Sequence, residues 1–227
     1  LDLLQDDYVT AHNLDQIGRT EDLRFGTQLS AELGVSQAAL GANRNAFVAS
    51  LGASRGYRLV HEQSLFLAGS WGSRLEGGSL RDSLLSVSSR YFWRASGKTV
   101  LFVGFAADKG SALDLDHELM LGGDTGLRGY PLRYQTGTAR ALLTVEGRYF
   151  TNWYPLRLAR VGAAVFADIG RTWGASALAV PELGTLRDVG IGLRFGNTRS
   201  ALGNVLHVDL AFPLDGDPSV KSMQFLL

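Results

Sequence analysis

Arg128 lies in a glycine-rich stretch, Leu121-Gly-Gly-Asp-Thr-Gly-Leu-Arg-Gly-Tyr-Pro131, and two carboxylates, Glu146 and Asp168, follow it. A guanidinium is a planar fork of five donors that fits carboxylates two bonds at a time. In a confined, poorly hydrated place each of these charges is costly alone. Removing one partner of such a pair there costs about 3–5 kcal/mol. The chemistry this points to is holding, not transforming. The residues by themselves leave the alternative open, a solvated loop arginine and two unrelated carboxylates. The same glycines could be taken for a phosphate cradle, but the stretch lacks the lysine and the following helix that such a cradle needs.

Other chemistry is sparse. The histidines are His12, His61, His117 and His207, and no two have metal-ligand spacing. His207 and Asp209 share one strand face, but a hydrolase also needs a serine brought to them, and the sequence does not assemble one. There is no cysteine, hence no thiolate nucleophile and no disulfide scaffold. No enzyme activity, metal or cofactor is expected.

The elements that must position Arg128 are strands. One face of an early run reads Leu23, Phe25, Thr27, Leu29, Ala31 and Leu33. The other reads Arg24, Gly26, Gln28, Ser30, Glu32 and Gly34. A helix would scatter these sets, whereas a strand puts them on opposite faces. The alternation recurs over 47–54, 65–71, 85–94 and, apolar on both faces, 99–108. Later runs cover 141–149, 161–169, 189–195, 206–212 and 223–227, with Met223, Phe225 and Leu227 on one face. This predicts an all-β antiparallel fold of roughly ten strands, each about 9–12 residues, with one unit spanning the whole chain. With Leu143 and Val145 on the apolar face, Glu146 points the other way. Val165 and Ala167 set Asp168 the same way.

Composition decides which face meets what. The polar faces carry Gly, Ser and Thr rather than dense Lys and Glu. Of 22 basic residues only Lys98, Lys109 and Lys221 are lysine, and the 28 glycines make about 12% of 227 residues, against an ordinary 7% or so. Such faces suit a confined interior, with the apolar faces turned to lipid. Aromatics gather near strand ends, at Tyr91, Phe92 and Trp93 and at Tyr149, Phe150, Trp153 and Tyr154, as in interfacial girdles. The expectation is a transmembrane β-barrel, with a soluble all-β domain as the alternative. A connection of about thirty residues, 109–139, then folds into the lumen. The lumen arginines Arg24, Arg90, Arg94, Arg148 and Arg194 either pair with Glu32, Glu146 and Asp168 or set the ion preference of a pore. A net charge of zero removes the electrostatic case for nucleic acid. No apolar run reaches 18 residues, so no transmembrane helix is expected. Three aspartates in the first ten residues are unlike a signal peptide, so the numbering is expected to start on a mature or truncated product.

Leu127-Arg128-Gly129-Tyr130, after Gly122-Gly123, resembles the VRGF/VRGY signature of the BamA/TamA/FhaC superfamily of outer-membrane barrels, the bacterial surface antigen family. Phe166-Ala-Asp168-Ile-Gly170 resembles its F-x-D-x-G motif, on the second strand after the loop, as in the family. Leu127 stands where the signature has valine, and the chain closes on Leu227 where the family has an aromatic. The resemblance implies a lumen-folded loop whose Arg128 contacts Asp168 and, in BamA-like members, Glu146. It implies a sixteen-stranded barrel, which at roughly twenty residues per strand and turn needs about 320 residues. The chain would then be the C-terminal part of a longer protein, or a short member. The implied setting is the bacterial outer membrane, and the implied function is insertion of proteins into that membrane or their translocation across it. The partners implied are outer-membrane lipid, client polypeptides and POTRA (polypeptide-transport-associated) or effector domains upstream of Leu1, or a second copy if the chain is complete. The alternative is a membrane anchor or passive pore for an N-terminal effector such as a patatin-like lipase.

Overall fold

Period-two alternation becomes long antiparallel strands. The computed structural model describes residues 1–60, 62–114, 117–174, 183–197, 205–216, 218 and 220–227. In chain order its strands are β1 (Asp2–Leu4), β2 (Tyr8–His12), β3 (Thr20–Arg24), β4 (Gln28–Ser36), β5 (Ala46–Arg58), β6 (Gln63–Glu76), β7 (Ser79–Arg94), β8 (Thr99–Ser111), β9 (Leu119–Leu121), β10 (Gln135–Gly137), β11 (Ala139–Phe150), β12 (Ala159–Trp173), β13 (Leu186–Asn197), β14 (Val205–Pro213) and β15 (Gln224–Leu226). Among the described residues, the helical elements are three single 3-10 turns.

Eleven strands form one antiparallel sheet in the order β1-β4-β5-β6-β7-β8-β11-β12-β13-β14-β15. The pairs β2–β3 and β9–β10 are small separate hairpins. The edges are β1 and β15, and no pairing joins them among the described residues. Five strands of the sheet follow the long connection, as expected.

The two faces of the sheet differ as the alternation predicts. The outer face exposes Leu29, Leu51, Leu85, Phe105, Val145, Val165, Ile191 and Phe212. Its aromatics include Tyr57, Trp93 and Tyr149 at one end and Phe47 and Trp173 at the other, all exposed. Phe92 and Phe150, expected in the girdle, instead face inward and are buried. The inner face is small or polar over β4–β7, with Ser30, Ser50, Gly52, Ser54, Ser70, Ser86 and Ser88. Two inserts cover the inner face. One is residues 8–24, whose Leu14 and Ile17 pack with Phe92, Val100 and Phe150. The other is the long connection, whose Leu121, Leu127 and Tyr130 pack with Leu186.

Several elements differ from the sequence reading, most of them by longer strands such as β6 and β7. The run 23–33 is not one strand but the end of β3 and most of β4. The chain breaks at Gly26, where residues 5–7 cross so closely that a Cβ would stand 2.0 Å from the Gln5 carbonyl oxygen. The early strands β1 and β2 were not expected. The connection expected at 109–139 is 112–138, because β8 continues to Ser111 and β11 begins at Ala139.

Candidate functional site

The site begins with a loop that folds on itself. The Gly122 N–H donates to the Gly126 carbonyl at 3.0 Å and the Gly123 N–H to the Leu127 carbonyl at 3.1 Å. Gly122 has φ +136°, and a Cβ there would meet the Pro131 carbonyl oxygen at 2.3 Å, so only glycine fits. Leu127 adopts φ 57°, uncommon for a residue with a Cβ, and is fully buried. Its apolar cluster pays for that backbone and turns the next side chain, Arg128, toward the sheet. The Tyr130 hydroxyl lies 2.8 Å from the Arg187 carbonyl and 2.9 Å from the Asp215 carbonyl, with one proton to offer them. Beyond the loop, Gln135 is pinned on both ends. Its Nε2 donates to the Gly184 carbonyl at 2.7 Å, and its Oε1 accepts the Thr172 N–H at 2.9 Å.

Arg128 meets three carboxylates. Its Nε and Nη2 donate to the two oxygens of Asp168 at 2.8 and 3.2 Å. Its Nη1 donates to Glu146 Oε2 at 2.9 Å and to Asp209 Oδ2 at 3.2 Å. Its Cζ sits 3.3 Å from the centroid of the Phe166 ring, a cation on an aromatic face. Burial by itself lowers the Arg128 pKa. The bonds and charges of Asp168 and Glu146 outweigh that and raise it, so the guanidinium stays charged.

The carboxylates are themselves held. Thr144, the register partner of Asp168, donates its hydroxyl to Asp168 Oδ1 at 2.7 Å. Glu146 Oε1 accepts Arg148 Nε at 3.0 Å, and Arg194 Nη2 lies 3.1 Å from Glu146 Oε2. Arg194 also bonds Asp209. Asp188 faces Asp168 across β12 and β13, is buried, and among the described residues has no hydrogen-bond partner on either oxygen. Gly129 is what lets the loop come so close. A Cβ there would lie 2.6 Å from Asp188 Cβ and 3.0 Å from the Pro213 nitrogen.

The structure thus brings Arg128, Glu146, Phe166 and Asp168 together. Gly122, Gly123, Leu127, Gly129 and Tyr130 shape the loop that carries the arginine. Gly170 leaves space on the inner face for Leu121, whose Cδ1 would be 3.1 Å from a Cβ there. Met223, Phe225 and Leu227 stand on the other face, exposed, with Phe225 paired to Leu210 and β15 itself limited to Gln224–Leu226. Of the two roles left open for the lumen arginines, Arg148 and Arg194 take the pairing one, on Glu146. Arg94 bonds Glu62 instead, Arg90 lies 5.7 Å from the Phe66 ring centroid, and Glu32 is exposed. Arg24 and Arg90 line a cavity of about 220 Å³ between residues 14–26 and strands β5–β7.

Asp209, Thr144 and Asp15 were missed as members. The face carrying His207 already carried Asp209, so alternation held that signal. The sequence reading finds no nucleophile in a G-x-S-x-G setting, yet Gly52-Ala-Ser-Arg-Gly56 spells that pattern. It lies within β5, not on the sharp strand-to-helix turn that exposes a nucleophile, and no hydrogen bond joins Ser54 to a histidine among the described residues. His117 bonds Asp82 at 2.8 Å, His207 is the register partner of Arg194, and His61 lies outside the described residues. No family model matches this chain, and neither does any curated protein.

Proposed function

We propose that this chain is the C-terminal portion of an outer-membrane β-barrel of the BamA/TamA/FhaC kind, which inserts proteins into the bacterial outer membrane or passes them across it. One observation carries the reading. A loop folds over the inner face of β11–β14 and plants Arg128 on Asp168 and Glu146, while the outer face of the same strands exposes Val145, Val165 and Ile191. An apolar outer face with polar groups gathered inside is the arrangement a bilayer asks for. The latch would stiffen one wall. The other wall ends at β1, which pairs with β4 at residues 28–30 and bonds on to Ala31 and, through Gln5, to Thr27, while β4 itself runs on to Ser36. An edge left open in lipid is costly, so strands from further chain, from a second copy or from a client would complete it. A client strand adding there would gain main-chain hydrogen bonds irrespective of its sequence.

The competing reading is a membrane anchor or passive pore for an upstream effector. Two inserts covering the inner face speak against a freely open pore. The test is reconstitution in liposomes with an unfolded client barrel. Insertion lost in Arg128→Ala and in Asp168→Ala, with heat-modifiable gel migration kept, is the expected result. Variants that migrate and insert like the wild type would overturn the reading. Extraction into buffer without detergent would return the soluble alternative.

A further inference from the structure

The second insert, residues 8–24, has no part in the function proposed above, yet it is built into the same charge network. Its turn is fixed from within. Glu21, itself buried, accepts the Leu14 N–H at 2.8 Å and the Asp15 N–H at 3.0 Å. Asn13 Oδ1 accepts the Gly18 N–H at 2.6 Å. The sheet is cleared to receive it. A Cβ at Gly196 would meet Ile17 Cβ at 2.9 Å, and one at Gly162 would meet Ile17 Cδ1 at 3.2 Å. Ile17 therefore enters a seat made by absent side chains on β12 and β13.

The turn then reaches the site. Arg148 Nη1 donates to Asp15 Oδ1 at 2.7 Å and to the Leu14 carbonyl at 3.4 Å. Arg148 Nε donates to Glu146 Oε1, and Arg128 Nη1 to Glu146 Oε2. One carboxylate thus gives one oxygen to each insert's tether. The path Asp15–Arg148–Glu146–Arg128–Asp168 runs from one insert to the other without a gap.

We propose that residues 8–24 form a plug interlocked with the long loop through Glu146, so that unseating either insert loosens the other. With Arg128 and Arg148 both in place the Glu146 charge is met from both sides. With either arginine withdrawn, Glu146 is left with the other and with Arg194, whose Nε lies 3.3 Å from Oε1 and whose Nη2 lies 3.1 Å from Oε2, so the loss is felt through a carboxylate pulled to one side. Linkage makes such a coupling reciprocal. An interlocked pair would keep the inner passage shut until both ends are engaged, which neither insert could do alone.

Hydrogen exchange on the full chain, refolded in micelles, tests this. Asp15→Asn keeps the shape and cuts only the Asp15–Arg148 charge pair. Because Asp15 is half exposed, the change is expected to speed exchange over residues 9–24 by up to about fivefold and over 119–137 by a smaller factor, about twofold. Arg128→Gln is expected to do the reverse, speeding 119–137 and then 9–24. Gly196→Ala crowds Ile17 without touching a charge, since the three nearest atoms to a Cβ there all belong to Ile17, and is expected to speed both segments. Asp22→Asn removes a charge from the same hairpin outside the network, and is expected to leave 119–137 unchanged. If Asp15→Asn and Gly196→Ala loosen 9–24 while 119–137 exchanges as in the wild type, the interlock does not exist. The same holds if Asp22→Asn moves 119–137 as far as Asp15→Asn does.

Discussion

Arg128 rests against Phe166, with the guanidinium carbon 3.3 Å from the ring centroid. The contact explains why an aromatic two residues before Asp168 belongs to the site. Residues 166 and 168 share the inner face of β12, so the ring supports the same cation that the carboxylate binds. Phe166→Leu keeps an apolar side chain and removes the ring face. It should weaken the fold by about 1–2 kcal/mol, measured by denaturant unfolding in micelles. In an Arg128→Ala background the same change should cost clearly less, and equal costs in both backgrounds would detach the ring from the cation.

Burial should separate two pairs of like geometry. Arg187 grips Asp215 through two bonds of 2.9 and 2.8 Å, much as Arg128 grips Asp168, but Arg187 is largely exposed. Arg128→Gln strands buried carboxylates and should cost about 3–5 kcal/mol. Arg187→Gln should cost about 1 kcal/mol or less. Comparable losses in equilibrium unfolding would mean that the inner network is no drier than the surface.

Gly129→Ala should be severe for its size. The new methyl would press on Asp188 Cβ at 2.6 Å, and backbone on the far side cannot give way. A loss of about 1–3 kcal/mol is expected, with faster exchange over 119–137. Gly72→Ala is the control, because nothing lies within 4 Å of a Cβ there. Its unfolding midpoint should stay within error of the wild type or rise.

The outer face can be tested with one charge. Val165 is 61% exposed and sits mid-strand on β12. Val165→Arg should destabilise the chain in lipid bilayers by about 2–4 kcal/mol if the position lies near the midplane. In a water-facing sheet the same substitution would be close to neutral. Folding yield into vesicles, followed by gel migration, reads the difference.

Much of this site was legible because strand faces follow from counting. Residues 144, 146 and 148, and 166 and 168, fall on one face whichever way the sheet curves. An arginine in a long, apolar-rich connection needed partners there. The break at Gly26 was not legible. Alternation counts faces and continues across a gap, so Leu23 to Leu33 read as one strand. What divides it is the crossing of residues 5–7, a contact that leaves no periodic trace. Asp209 was missed for a related reason. It lies 81 residues from Arg128, and only the sheet order, with β13 between β12 and β14, brings it within reach. Asp15 reaches the site from a turn, where side-chain direction has no simple period.

Among the described residues, every cation bonded to Glu146, Asp168 or Asp209 is an arginine, and Lys98, Lys109 and Lys221 stand outside that group. Acetylation, or any amine-directed reagent, could therefore neutralise each lysine of this protein and leave the inner charges as they were. Guanidinium does not give up its proton at any alkalinity a cell survives. Basic media and lysine-modifying enzymes have no handle on the Arg128 contact, and what releases it must act by displacing the loop or by competing for its acids.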